Sequence, residues 1–485
     1  MFQRSAAAVI VLSALCLQAP FAAAQSDPVR TAPVRTAQEP LAAGIDALLA
    51  PHFRADAPGV TVIATKDGKT VFRKAYGLAD VAAKQPLAPQ AVLRLGSITK
   101  QFTAVGILML ADEGRLALSD DITRFLPDYP TGGRVVTVEH LLTHTSGIVS
   151  YTSKKDFGEV MMRDVSVAQG IDYFKNDTPE SAPGSAFSYN NSGYFLLGAI
   201  IEKVSGQSYA RFLEERIFKP LGMAHTGYEG SGPALKPVPG YGVRDGHPRP
   251  AEPLSMAWPY AAGALVSNVD DLARWQAALA DGKLVRPETL RRAFTPFTLA
   301  DGKAGPYGYG WFVGQLHGTP LVFHGGNING FATDAVWLPN ERIYVAVLAN
   351  NEAGAGAAPL DKLTRQVAMR IAGKPLPQPS NAKLDTATLA AYAGVYRIDD
   401  KTSLTVRPDG GSLSMQRTSR PPMPLRHYKA DGFLIGDSLT TVDFTRDATG
   451  AVTALMVTGD RGVNVHRRMQ AAAPAQPPGS DVTKP

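Results

Sequence analysis

From Leu95 to Leu110 the chain reads L-G-S-I-T-K-Q-F-T-A-V-G-I-L-M-L. Ile98, Phe102, Val105, Ile107, Leu108, Met109 and Leu110 cover nearly the whole circumference of a helix, and a helix apolar all round is buried. Ser97 and Lys100 stand at its opening, three residues apart, close to one turn, so both side chains leave the same face. A serine at a helix N-terminus meets free N–H groups and a dipole that favours a developing anion. A lysine at the mouth of a buried helix is poorly solvated, and desolvation pushes its proton off. These are the conditions for activating a serine nucleophile.

S-x-x-K fixes only two residues, and about one chance match is expected in a chain this long. A second match, Ser380 to Lys383, lies in a Pro- and Asn-containing stretch with no apolar helix behind it. The assignment of Ser97 therefore depends on its partners.

The first residues carry the signature of export. Arg4 gives a positive start, Ala6 to Leu17 an apolar run, and Ala22-Ala23-Ala24 a small-residue cleavage site. Residues 1–24 are expected to be a secretory signal, and the protein to be periplasmic or secreted. The only cysteine, Cys16, falls inside this segment, after a leucine too large for the usual lipoprotein site. A mature chain without cysteine has no disulfide, thiol chemistry or cysteine metal site. The formal net charge of +6 is scattered, with no basic stripe, so no nucleic-acid partner is expected. No later segment is apolar enough for a membrane span, and the oligomeric state is left open.

Residues 25–40 read as a disordered Pro/Ala/Thr-rich spacer. Leu41 to Phe53 is expected to be helical. Val60 to Ala64 and Thr70 to Phe72 flank Asp67-Gly68, a strong hairpin signal. Helices are expected at Val138 to Thr143, Ser192 to Val204, Tyr209 to Phe218 and Asp270 to Ala280, with Met256 to Val266 as irregular chain entering a strand. Four β-like runs follow: Gly308 to Val313, Leu321 to His324, Ala332 to Leu338 and Ile343 to Leu348. A helix over Ala358 to Ile371 closes the unit. Strands at both ends with helices between predict an α+β fold, an antiparallel sheet flanked by helices with an all-helical insertion that the Ser97 helix begins. This unit spans residues 41–373. A Pro-rich linker covers 374–384, short alternating runs over 385–470 predict a small all-β barrel, and 471–485 read as a disordered tail.

Two more pieces bear on Ser97. Tyr189-Asn190-Asn191 forms a polar loop running straight into an apolar helix. His324-Gly325-Gly326-Asn327 ends a β-run, where glycines mark close approach of a backbone or a ligand. His140 and His144 have a spacing that suits a metal on a helix, but no third ligand stands near, and two structural histidines are expected.

In this order and between these elements, Ser97-Ile98-Thr99-Lys100, Tyr189-Asn190-Asn191 and His324-Gly325-Gly326 resemble the three boxes of the penicillin-recognising serine hydrolases, on the branch of class C β-lactamases, serine D,D-peptidases and D-aminopeptidases. Leu141 to Ile148 (L-L-T-H-T-S-G-I) reinforces the match. The C-terminal piece resembles the lipocalin-like barrel often appended to such enzymes. The resemblance implies a β-lactamase/transpeptidase-like fold and an acyl-enzyme on Ser97. Lys100 or Tyr189 takes the serine proton, and Tyr189 carries it to the leaving group. Asn191 bonds Lys100 or the substrate amide, and the backbone N–H groups of Ser97 and Asn327 form the oxyanion hole. Both candidate bases have ordinary pKa values near 10, so at least one must fall by about 3 pH units, on the order of 4 kcal/mol.

His324, Gly325, Gly326 and Asn327 would face the substrate. Class C β-lactamases usually carry Lys-Thr-Gly in the third box, so His324 replaces lysine and Gly325 replaces the threonine whose hydroxyl helps hold the substrate carboxylate. Gly326 is expected to be glycine because a side chain would crowd the acyl group, and Trp258 with Tyr260 either to line an apolar pocket or to pack in the core. No metal or cofactor is implied. The expected function is an exported serine hydrolase for D-amino-acid peptides or β-lactam-like amides. A carboxylesterase using the same site, or a catalytically silent ligand-binding protein, are the alternatives.

Overall fold

The computed structural model describes residues 38–354, 359–460 and 462–469. The expected signal, most of the spacer and the C-terminal tail lie outside these residues. Helix α1, Gln38–Leu49, begins three residues before the expected start, so residues 38–40 belong to the helix and not to a spacer. Pro40 falls in its first turn, where a missing N–H costs nothing.

The Asp67-Gly68 turn joins β1, Val60–Lys66, to β2, Lys69–Tyr76. Both turn residues have positive φ, 51° and 73°, as a two-residue hairpin matched to strand twist requires. The chain then leaves the sheet and returns as β3, Phe312–Leu316, β4, Thr319–Ile328, β5, Phe331–Leu338, and β6, Ile343–Ala349. The order is β3-β4-β5-β6-β1-β2, every neighbour antiparallel, with Val60 opposite Ala349. β5 and β6 are buried along their whole length, because both faces are covered. Val62, Val336, Val345 and Val347 pack on one face beneath α1 and the helix Leu360–Ile371. Ile63, Ala335, Ala346 and Leu348 join the larger core on the other face. The Gly308 to Val313 run enters the sheet only at Phe312, because Gly310 takes a φ of 90° against Lys100 O and Ala104.

The insertion is organised by α2, Thr99–Asp112, in which every residue from Thr99 to Leu110 is buried. It packs on α3, Asn191–Ser205, capped by the Asn190 side chain at its start and by left-handed Gly206 at its end. The Met256 to Val266 stretch contains a short helix, Tyr260–Gly263, before the strand Leu265–Ser267. That strand pairs with Leu93–Arg94 and Gly227–Tyr228 and fixes the entrance to α2. Leu95 N donates to Leu265 O (2.9 Å) and Leu265 N to Thr99 Oγ1 (3.2 Å).

A short helix, Thr386–Tyr392, precedes eight antiparallel strands, each paired with the next, from Gly394–Arg397 to Gly462–Arg467. The barrel nearly closes: Tyr396 bridges to Arg468, and Met469 N donates to Val395 O (2.7 Å). Its interior is packed by Tyr392, Phe433, Phe444, Leu425 and Leu455. It meets the outer edge of the hydrolase sheet, where Gln315 N donates to Asp460 O (2.9 Å) and Arg365 lies 3.7 Å from the Asp460 carboxylate.

Candidate active site

Ser97 sits in a tight turn, Gly96–Ile98, immediately before α2. Gly96 has a φ of 52°, and a Cβ on it would lie 3.1 Å from Asn327 N. Glycine thus serves two needs at once, a left-handed backbone and close approach of β4. The same contact brings the Ser97 and Asn327 amides to one cleft, which both residues line.

Lys100 is wholly buried. Its Nζ is 3.1 Å from Ser97 Oγ, 2.8 Å from Asn191 Oδ1 and 2.9 Å from Ala262 O. Two of these partners are carbonyl oxygens and only accept. A neutral amine has two N–H groups, which those carbonyls use, and its lone pair is left for the Ser97 O–H. Burial holds Lys100 well below the ordinary lysine pKa, which favours this neutral form.

The Tyr189 hydroxyl is buried and makes no hydrogen bond. Burial pushes its pKa up, and the Ser97 hydroxyl is the one group that opposes the rise. Lys100 Nζ lies 4.8 Å from the centre of its ring. The Tyr189 loop is held from behind by the Leu141 to Ile148 segment. His144 Nδ1 accepts from Asn190 N (3.0 Å), its carbonyl accepts from Ser188 N (2.9 Å), and its ring packs 4.4 Å from that of Tyr189. His140 Nδ1 accepts from Thr137 N (3.2 Å) in a capping box. Both histidines thus spend ring nitrogens on backbone groups, and His144 supports the tyrosine loop.

On β4 the expected residues divide. Asn327 lines the cleft, and its side-chain amide donates to Glu352 O (2.7 Å). His324 does not line the cleft. It is 1% exposed, donates from Nδ1 to Gly325 O (2.6 Å) and accepts at Nε2 from the Tyr307 hydroxyl (2.8 Å). Burial, chiefly, pushes its pKa down to about 3, so the ring is neutral where a family lysine would be a cation. A Cβ on Gly325 would meet Asp334 Oδ1 and Thr333 O at 3.4 Å. A Cβ on Gly326 would lie 2.2 Å from Leu95 O, 2.4 Å from Thr333 Oγ1 and 3.0 Å from Ser97 N. Gly326 is therefore required by backbone approach behind the serine, and not by crowding of an acyl group.

The cleft at Ser97 holds about 140 Å³. Of the two expected places for Trp258 and Tyr260, the structure gives the core: Trp258 packs between Tyr151, Phe157 and Tyr173, and Tyr260 between Phe195 and Tyr209. Tyr151, Phe157, Leu254 and Ile328 supply the apolar wall instead. A larger groove of about 550 Å³, bordered by Phe125, Tyr129 and Ile171, has no serine in its lining and lies apart from this chemistry.

A serine 3.1 Å from a buried lysine, at a cleft shared with Asn191 and Asn327 and backed by a tyrosine with a buried hydroxyl, belongs to a serine hydrolase of β-lactamase fold. Residues 41–369 match the family described as Beta-lactamase, and the chain belongs to that family. Residues 378–471 match a domain of unknown function, DUF3471. "Penicillin-binding protein 4*" of Bacillus subtilis (strain 168) is 29% identical over 416 residues, 79% of this chain and 89% of that protein. The octameric penicillin-binding protein homologue from Pyrococcus abyssi superposes with a TM-score of 0.61 at 26% identity, over 89% of this chain and 99% of its own. A D-stereospecific amidohydrolase from Streptomyces sp. gives a TM-score of 0.56 at 26% identity, over 69% of this chain and 98% of its own.

Proposed function

We propose that this protein hydrolyses amides through an acyl-enzyme on Ser97. Ser97 Oγ forms a bond to the substrate carbonyl carbon as its proton passes to Lys100 Nζ. The oxyanion is held by the Ser97 and Asn327 amides, each such donor being worth about 3–4 kcal/mol. Collapse breaks the bond to the leaving group, which takes the proton by way of Tyr189. Water then attacks the acyl-enzyme, and its proton returns to Ser97. Lys100 and Tyr189 are close enough to titrate as a pair. The observation that carries the proposal is the buried Lys100 amine, whose Nζ lies 3.1 Å from Ser97 Oγ and is otherwise held by two carbonyl oxygens, so that the neutral form has its lone pair free for the Ser97 proton.

D-amino-acid peptides and β-lactam-like amides are the substrates suggested by the names of the relatives. Esters are a second class, favoured by a neutral His324 and a third box without a hydroxyl. Mass spectrometry after exposure to a fluorophosphonate tests the mechanism. The expected result is one adduct on Ser97; folded protein without an adduct would favour a ligand-binding role. Export is part of the same proposal and rests on the Arg4 to Ala24 sequence. N-terminal sequencing of the mature protein should begin near Gln25.

A further inference from the structure

The cleft carries no charged side chain among the described residues that line it. Away from Tyr189 its wall is Tyr151, Phe157, Leu254 and Ile328, with Thr152 and Asn329 as polar members. Two charged groups bonded to the Asn329–Gly330 backbone beside the cleft are engaged. The Arg94 guanidinium is held by both oxygens of Glu229 (2.7 and 2.8 Å) and by Asn329 O (3.2 Å). The Glu352 carboxylate accepts from Gly330 N (3.2 Å). A free ammonium on the acyl group would find no carboxylate in the cleft, and a carboxylate no cation.

The surroundings of Tyr189, which the proposed mechanism sets beside the leaving group, are aromatic. Tyr189 lies parallel to Phe312, with centroids 6.1 Å apart, and Phe312 stands edge-on to Phe187 at 6.4 Å. Both phenylalanines are partly exposed. His324, the one histidine of the third box, is neutral and fastened to Tyr307.

We infer that the substrates are uncharged on both sides of the scissile bond, with a compact apolar acyl group in the Tyr151–Phe157–Leu254–Ile328 pocket and a neutral, apolar leaving group against Phe187 and Phe312. A volume of about 150 Å³ accommodates one benzene ring, so a short chain or a single ring fills the cleft. Blocked D-aminoacyl amides and simple esters meet this description. Peptides with a free terminal carboxylate at the scissile residue, and amino-acid amides with a free ammonium, do not. The inference rests on the acyl-enzyme at Ser97.

Two matched sets of substrates test it on the full-length protein. The acyl set is p-nitrophenyl butyrate (neutral), p-nitrophenyl hemisuccinate (anionic) and p-nitrophenyl β-alaninate (cationic). The leaving-group set is the phenylacetyl thioesters of methyl thioglycolate and of free thioglycolate. The neutral member of each set should have kcat/KM at least tenfold higher. Equal or better turnover of a charged member overturns the inference for that side. Phe312→Arg, checked for folding by circular dichroism, should move the thioester ratio at least fivefold toward the carboxylate. An unchanged ratio overturns the placement of the leaving group. Fluorophosphonate labelling separates the two levels: Ser97 labelled with charged substrates preferred sinks only this inference, and Ser97 unlabelled in folded protein sinks the acyl-enzyme itself.

Discussion

Gly326→Ala tests how the two halves of the oxyanion site are held together. The new Cβ would lie 2.2 Å from Leu95 O and 2.4 Å from Thr333 Oγ1. Ordinary non-bonded contact begins near 3.5 Å, so the facing segments must part by about 1 Å. Thr333 can turn away, though it then gives up its 2.9 Å hydrogen bond to Leu95 O. Leu95 O cannot, because it is backbone and Leu95 N is tied to Leu265 O. The displacement therefore falls on the turn that carries Ser97 N and the strand that carries Asn327 N. Losing one donor costs about 3–4 kcal/mol, or 10²- to 10³-fold in kcat, and overpacking costs about 1–3 kcal/mol of stability. The assay is kcat and KM on a p-nitrophenyl ester, with thermal unfolding alongside. The expected outcome is a fall in kcat of about 10²-fold or more with KM little changed, since the lost interaction exists only in the transition state. Gly232→Ala is the control, because a Cβ there meets nothing within 4 Å. A folded Gly326→Ala protein with wild-type kcat would refute the role given to this contact.

Lys100→Met keeps the volume of the buried side chain and removes the lone pair. kcat should fall by about 10²- to 10⁴-fold, and the acid limb of the wild-type pH–rate profile, where the depressed lysine takes up its proton, should vanish. Tyr189→Phe should slow anilide hydrolysis by about 10²-fold or more and p-nitrophenyl ester hydrolysis much less, because p-nitrophenolate leaves without a proton; equal losses on both would exclude the tyrosine from leaving-group protonation. His324 stays neutral in the fold down to about pH 3, whereas the unfolded chain protonates it near its ordinary 6.5. Its contribution to stability is therefore complete above about pH 6.5 and is lost as the pH falls toward 3, at up to about 1.4 kcal/mol per pH unit. Asp334, raised to about 6 by burial, acts with the opposite sign, adding stability as the pH falls from about 6 toward its ordinary 3.8. Urea melts of wild type and His324→Asn between pH 4 and 7 should differ in slope in the direction given for the histidine.

Much of this architecture is legible in the residues because it rests on local rules. A two-residue Asp-Gly turn, an all-round apolar helix behind Ser97 and polar loops that break into apolar helices each announce themselves within about ten residues. Their order along the chain carries the sheet-insertion-sheet topology. The pocket does not announce itself. Trp258 and Tyr260 are large and close to a strand, which makes them plausible as pocket walls, but their neighbours Tyr151, Phe195 and Tyr209 come from elsewhere in the chain and enclose them. The true wall joins Tyr151, Phe157, Leu254 and Ile328, four residues with no shared periodicity. The Tyr307 clamp on His324 is equally silent, since a tyrosine in a loop has no pattern that names its partner. Paired strands of two and three residues, Leu93–Arg94 with Leu265–Ser267, are too short to show alternation.

The sheet is closed by pairing Val60–Lys66 with Ile343–Ala349, and the nucleophile lies early in the loop so formed while the Asn327 strand lies late. Ser97 and Asn327 are 230 residues apart in sequence (327 − 97). At about 5–20 residues per second, a growing chain carries its serine for roughly 10–50 s before the second oxyanion amide has been made. Through that interval Ser97 has no complete anion site, and the nascent polypeptide is chemically silent toward acyl groups around it. The site needs both the early hairpin and the late strands, so no N-terminal part of the chain that stops short of Asn327 holds both oxyanion amides.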